Sequence, residues 1–457
     1  MALAAAFAVS AAAPAAADTP LRRGFSDGVA LLRPPGGDHQ RLLASMRAAG
    51  GSVVRIPANW NETLPGLPPA DGANPTDPAY DFTRLDRAVR AAVAAGADVL
   101  IVVSHAPHYA EAAPRYRFAA RGSWGVRPSA LAAYAHALTV RYSGRFATAD
   151  GVLPRVRLWQ SWNEPNLPQY LAPQWTARAG HWIPWAPAHY RRMHNAFYRA
   201  VKAVQPDARV TSAGLAPIGE PTDGVGRMTP MRFLRAFLCL DAAGAPARPR
   251  CADPPLLDAV AFHPLSTGDP DRPAALASEV AIADIGKVTA AVRAARSAGI
   301  VRGAPELWIT ELNWTTGAGG VPSRLQAAWV GRALHRLWLA GASIVAWHFF
   351  TDRSTERPAG LLHADGSPKP LLRGWALPVD ALRQSRAHVG IWAMPAQGAQ
   401  RVCVEARPAG RRAWRRAGCR TVASADVPVQ LRIALRGRGD VRVRSGGRTS
   451  AVRRVGT

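Results

Sequence analysis

At 457 residues and 48% hydrophobic content, the chain is long enough for one large domain and a small one, with the apolar fraction of an ordinary globular protein. No internal apolar run approaches the ~20 residues of a membrane-spanning helix, so no transmembrane segment is expected. The net charge of +26 comes from 57 basic and 31 acidic residues, and nearly all the basic ones are Arg.

Such a charge is a common footprint of nucleic-acid binding. The sequence carries no helix-turn-helix, zinc-finger or RNA-recognition pattern, so nucleic acid is not an expected partner. A coding bias toward Arg, Ala and Pro accounts for the charge over most of the chain.

Residues 1–17 form an Ala-rich apolar stretch that ends Ala15-Ala16-Ala17. A hydrophobic run before a small-residue cleavage site reads as a removed signal peptide, although the basic n-region is missing. Secretion is therefore expected. The cysteines agree with an oxidising compartment: local pairing, Cys239–Cys251 and Cys403–Cys419, is the simplest of three connectivities. No CxxC or Cys/His cluster is present, and His105 and His108 lack a third ligand, so neither a metal nor an organic cofactor is expected.

In chain order, eight apolar runs read as strands: 28–32, 52–56, 98–104, 155–163, 209–214, 257–263, 306–311 and 343–349. Most are rich in Val, Ile and Leu without strict alternation, as befits strands covered by helices. Between them lie amphipathic stretches at 82–95, 129–142, 188–204, 282–298 and 323–340. Gly96, Gly299 and Gly341 follow three of these as C-caps. This alternation predicts an α/β fold, a (β/α)₈ TIM barrel over residues 18–384. A doubly wound sheet would show a Gly-rich phosphate loop after an early strand, and none is present.

The loop at 165–187 is long and aromatic, which marks a functional loop. From residue 385 the runs 389–393, 401–406, 429–434 and 441–444 predict a small Arg-rich all-β appendage over 385–457, stapled by Cys403–Cys419. It is too short for a full sandwich of its own and should pack on the barrel. Residues 401–457 hold fifteen Arg and no Lys against Glu405, Asp426 and Asp440, which leaves +12 of the total charge in the tail. Such a field can hold a protein on an anionic cell wall or polysaccharide. The alternative is a solvated face.

Two glutamates carry the chemistry. Glu164 sits in Trp162-Asn163-Glu164-Pro165-Asn166 at the end of the fourth run, and Glu311 follows Thr310 at the end of the seventh. The C-terminal strand ends of a parallel barrel meet at one mouth. Two carboxyls there suit glycosidic cleavage: one protonates the leaving oxygen, and the other attacks the anomeric carbon or activates water. Glu306, at the opposite end of the seventh strand, should face the barrel bottom. Arg55, near the end of the second strand, is expected to hold a carboxylate ionised. Trp60, Trp182, Trp185 and Trp314 fall in loops or at strand ends on the same side and are candidates for stacking on sugar rings.

These motifs resemble those of clan A retaining glycoside hydrolases. The Asn-Glu-Pro-Asn form and the Trp-rich loop after it are most similar to glycoside hydrolase family 39, with its relatives acting on bacterial exopolysaccharides. The resemblance spans residues 24–375. It implies Glu164 as general acid/base, Glu311 as nucleophile and Asn163 on the sugar 2-hydroxyl. It also implies His263 beside the nucleophile, His105 on sugar hydroxyls and Trp347 as an aromatic floor. The function so implied is a secreted retaining glycosidase cleaving β-linked oligo- or polysaccharide by double displacement. A non-catalytic carbohydrate-binding barrel and a cell-wall-associated surface protein are the alternatives.

Overall fold

The computed structural model describes residues 19–265, 268–353 and 358–456. The stretch read as a signal peptide lies outside the described residues. Eight parallel strands close a barrel: β1 (Arg22–Ser26), β2 (Val53–Asn59), β3 (Asp98–Ser104), β4 (Leu158–Ser161), β5 (Arg209–Thr211), β6 (Ala259–Phe262), β7 (Glu306–Leu312) and β8 (Ala342–His348). Each strand pairs with its neighbours in sequence, and β1 closes on β8. Helices α1 (His39–Ala48), α2 (Thr83–Ala94), α3 (Pro128–Arg141), α4 (Ala186–Val204), α5 (Pro230–Phe237), α6 (Gly286–Ser297), α7 (Ser323–Leu339) and α8 (Pro370–Ala376) lie between and after them. Each helix buries a stripe; α2, for example, buries Leu85, Ala88, Val89 and Ala92 at helical spacing. Among the described residues no helix is long and apolar enough to cross a membrane.

Strand alternation sends every second side chain to the barrel axis. Val53, Leu100, Leu158, Ala259, Trp308 and Ile344 fill one interior layer. Gly24 faces the same crowded axis: a Cβ there would lie 2.2 Å from the Val53 carbonyl oxygen.

The first strand is not where the apolar run placed it. Residues Gly28–Leu32 form a short helix, and the strand is Arg22–Ser26. Asp27 accepts a hydrogen bond from the Ala30 N–H and so caps that helix. The two arginines that hide the true strand both find acceptors. Arg23 donates to the Trp375 and Pro395 carbonyls at 2.6 and 3.1 Å, and Arg22 pairs with Asp98.

The C-terminal part holds β9 (Val379–Arg383), β10 (His388–Ala393), β11 (Arg401–Pro408), β12 (Arg415–Thr421), β13 (Val429–Ala434) and β14 (Gly439–Ser445). Strands β9, β10 and β13 form one antiparallel sheet. Strands β12, β11 and β14, with two short strands, form another. The two sheets share a core of their own that includes Val389, Ile391, Val402, Val404, Ile433 and Val443. The appendage is thus a two-sheet domain, and it starts with β9 rather than at residue 385. It docks through Trp392, which stacks on His335 of α7 with ring centroids 5.2 Å apart, and through Arg23. Both disulfides form as expected, and Cys403–Cys419 ties directly opposed residues of β11 and β12.

Candidate active site

The two glutamates reach the mouth by different backbone devices. On β4, Leu158 and Gln160 point inward. The alternation is then broken at Trp162 (φ 87°) and Glu164 (φ 37°), positions that cost non-glycine residues about 1–3 kcal/mol each. The Trp162 indole donates to the Tyr170 carbonyl at 2.8 Å, and the Glu164 N–H donates to the Gly214 carbonyl at 3.0 Å. On β7 the device is a bulge. Ile309 opposes Val345 and Leu312 opposes Trp347, so Thr310 and Glu311 together face the single residue Ala346. The extra residue lets both Thr310 and Glu311 act at the axis.

Arg55, almost fully buried, ties the site together. It donates from Nη1 to Glu311 Oε1 (2.6 Å) and Ser26 Oγ (3.1 Å), from Nη2 to Asn163 Oδ1 (2.7 Å) and from Nε to Gln160 Oε1 (2.8 Å). Burial pushes the Glu311 carboxyl up, but the charges of His263, His348 and Arg55 outweigh it and hold it at about 2. Burial pulls His348 below the usual imidazole range, and of the three neighbours Arg55 is the one permanently charged.

Glu164 has different company. His263 Nδ1 lies 2.9 Å from Glu164 Oε1, and its Nε2 lies 2.9 Å from Thr310 Oγ1. Gln160 Nε2 donates to Thr310 Oγ1 at 3.3 Å. With Glu164 ionised, Nδ1 must carry the proton, and Nε2 then accepts from the Thr310 hydroxyl. A hydrogen-bonded chain therefore runs from Arg55 through Gln160, Thr310 and His263 to Glu164. The His263 ring fits only because residue 214 is glycine: a Cβ there would stand 2.0 Å from Nε2.

A cavity of about 340 Å³ opens beside these groups, lined by Arg55, Asn163, His105 and Glu311 among the expected residues but not by Glu164, a size suited to a small ligand. His105 is held by Ser104 Oγ at 2.8 Å, and burial lowers its pKa against the opposing charge of Glu62. His263 is fully buried and supports the carboxylates from behind the wall.

The aromatic expectations need correcting. Trp347 is fully buried and points away from the axis, against Trp314 and Trp375, because Ile344, Ala346 and His348 take the inward positions of β8. Trp314 is buried beside it. Trp60 is buried flat against Tyr134, centroids 5.0 Å apart. Trp182 is 50% exposed on the hairpin of Trp175–Arg178 and His181–Pro184, and Trp185 stacks on His189 at 4.2 Å. Neither lines the cavity.

Instead Tyr170, His348 and Phe349 line it, together with Glu62, Arg33 and Arg353. Burial and the charges of Glu164 and Glu311 push the Tyr170 hydroxyl up to about 12, against Arg55, so it stays protonated. Strand parity could have found His348. No sequence signal marks Tyr170, which arrives on a loop, or Gly214, whose role depends on a ring from another strand.

Glu164, His263 and Glu311 each offer a ligand atom within 4.8 Å of the others, a donor set a divalent ion can use. Arg55 argues against such an ion: it occupies Oε1 of Glu311 and sets a fixed positive charge beside it. The set suits proton transfer between organic groups better.

No known family model matches the sequence, and no curated protein is significantly similar to it. Among solved structures, the chain is similar to a family 39 glycoside hydrolase from the gut symbiont Bacteroides cellulosilyticus WH2, at 18% identity and a TM-score of 0.54 over 92% of this chain and 82% of that one. It is also similar to a glucosidase from Croceicoccus marinus, at 15% identity and a TM-score of 0.52 over 93% of this chain and 95% of that one. At these identities the likeness establishes a shared fold.

Proposed function

We propose that the chain is a retaining glycoside hydrolase that cleaves β-glycosidic bonds of an oligo- or polysaccharide, with Glu311 as nucleophile and Glu164 as acid/base. The observation that carries this reading is the spacing: oxygens of the two carboxylates lie within 4.8 Å. Retaining pairs sit ~5–5.5 Å apart and inverting pairs ~6.5–9.5 Å apart. The two solved proteins of similar fold are named as a family 39 glycoside hydrolase and a glucosidase, which supports the same class.

The chemistry follows from the contacts. Arg55 holds Oε1 of Glu311, while Oε2 lies 3.5 Å from His348 Nδ1 and 3.8 Å from His263 Nδ1, free of a short hydrogen bond. Oε2 attacks the anomeric carbon as Glu164 gives its proton to the leaving oxygen. Glu164 then takes a proton from water, the water oxygen displaces Glu311, and both carboxyls return to their starting states. Asn163 Oδ1 is taken by Arg55 and its side chain also meets the Tyr170 hydroxyl, so the amide presents N–H rather than its oxygen to a sugar hydroxyl.

Export belongs to this reading and is supported by the two disulfides. So does retention on an anionic polysaccharide by the Arg-rich C-terminal domain. The decisive experiment is a screen of aryl β-glycosides and polysaccharides with the wild type beside Glu311→Ala. The variant should bind but not turn over, and azide should restore release of the aryl group with an α-glycosyl azide as product. Full activity in Glu311→Ala refutes the assignment.

A further inference from the structure

The loop between β3 and α3 exposes large aromatic rings on a backbone that is firmly tied. Tyr116 is 54% exposed and Phe118 70% exposed, and Trp124 is partly exposed beside them. Ring centroids are 5.5 Å apart for Tyr116 and Phe118 and 5.8 Å apart for Tyr116 and Trp124. The loop is not loose. Buried Glu111 accepts the Trp124 N–H and the Arg115 Nε–H, both at 2.9 Å, and the Trp124 indole donates to the Pro114 carbonyl at 3.1 Å. Holding three rings in water on a fixed scaffold costs free energy unless something covers them.

The patch lies outside the cavity lining but is tied through the backbone to a loop that reaches it. Trp124 bridges to Ala172, and the neighbouring N–H and carbonyl groups close the pair. Two residues before Ala172 stands Tyr170, which lines the cavity and packs against His105. We infer that Tyr116, Phe118 and Trp124 form a distal subsite that stacks on sugar rings of a polysaccharide running out of the cavity at Glu311. This rests on the proposed glycosidase reading and narrows its oligo- or polysaccharide substrate to a polymer.

The chemistry favours a glycan over a protein. Exposed ring faces match the C–H faces of pyranoses. A patch of three side chains on one loop is far smaller than the ~800 Å² per partner of a stable protein interface. Arg117 lies over Phe118, 4.4 Å from its centroid, and Tyr116 meets Phe118 edge to face, so the three rings form a faceted surface rather than a flat one.

The test uses the full chain. Tyr116→Ala/Phe118→Ala is placed in both the wild-type and the Glu311→Gln backgrounds. Both side chains are exposed, so thermal unfolding should be unchanged, and Phe118→Ala alone is the fallback if it is not. Affinity gel electrophoresis of the Glu311→Gln forms on arabinoxylan, mixed-linkage β-glucan, galactomannan and alginate reads polymer binding without turnover. At least one polymer should retard the parent, and the double replacement should weaken that affinity by about tenfold or more. Turnover of aryl β-glycosides by the active pair should agree within about twofold. Retardation unaffected by the replacement, or absent with every polymer, overturns the inference. Loss of retardation in a protein whose parent cleaves no glycoside sustains the subsite and removes the glycosidase reading. Cleavage of aryl glycosides with unaltered retardation does the reverse.

Discussion

The ends of β4 and β7 present the same side chain to the same space and prepare it differently. Glu164 and Glu311 have nearly equal side-chain exposure, 12% and 11%. Burial therefore does not separate them; their neighbours do. Glu311 meets a permanent cation, which fixes it as an anion. Among the described residues Glu164 has no such cation; it hydrogen-bonds His263, which also lies 3.8 Å from Glu311 and is linked to Thr310. A permanent cation suits a nucleophile, and its absence suits an acid that must become a base.

Replacing each glutamate tests this comparison with the largest effects. Glu311→Gln should abolish turnover of every substrate. Glu164→Gln should lower kcat by about 10²–10⁴ on sugars with poor leaving groups, and far less for the first step on activated aryl glycosides, which need little protonation. Equal losses on both substrate types in the two variants would dissolve the distinction.

The next largest effect lies at Arg55. Arg55→Met leaves a buried carboxylate unpaired, a change worth about 3–5 kcal/mol in stability if the charge is kept. The sign of the pH dependence follows. Glu311 is depressed from an ordinary 4.5 to about 2 in the folded chain. Its contribution, about 3 kcal/mol, is present above pH 4.5 and fades as pH falls toward 2. Chemical denaturation from pH 6 to 2.5 should show this loss in the wild type and a flatter curve in Arg55→Met. Parallel curves would mean that the cation does not set the charge of Glu311.

Smaller effects sharpen the Glu164 side. Thr310→Val removes the hydroxyl that faces His263 Nε2 while keeping the side-chain shape. It should shift the alkaline limb of the pH–rate profile without moving KM, whereas a purely structural role would lower activity evenly at all pH. Gly214→Ala should cost about 1–3 kcal/mol by overpacking, because its methyl group meets the His263 ring. Its activity should fall with the displaced ring, and an unperturbed His263 signal in NMR would count against this.

Much of this was legible in the chain because it is written locally. The Val, Ile and Leu runs of β3 and β8 and the Gly after α2 are short-range signals, and so is the turn chemistry around Glu164. Asp27 also carried a local signal, an N-cap, but the run Gly28-Val29-Ala30-Leu31-Leu32 was a louder one and pointed to a strand. The rest is non-local. The bulge at Thr310 and Glu311 depends on β8, the need for Gly214 depends on His263, and Tyr170 enters on a long loop. The shared core of the two C-terminal sheets joins residues far apart in the chain, such as Val389 and Val443.

The smallest predicted effect bears on which aromatic ring a sugar meets. On β8, Trp347 turns outward and donates its indole N–H to the Ala359 carbonyl at 2.8 Å. Phe349 lines the cavity with φ 72°, its ring 3.8 Å from that of His348. A left-handed backbone at a β-strand end is strained for phenylalanine, and strain of this kind gathers where a ligand is held. Phe349→Ala should therefore raise KM several-fold for aryl glycosides with little loss of stability. Trp347→Phe should do the opposite: it leaves KM unchanged and lowers Tm, because it opens a gap among Trp314 and Trp375 and strands a carbonyl. If Trp347→Phe moved KM and Phe349→Ala did not, the outward register of β8 would have to be wrong. His348 would then lose its place beside Glu311, and with it the difference between the two strand ends.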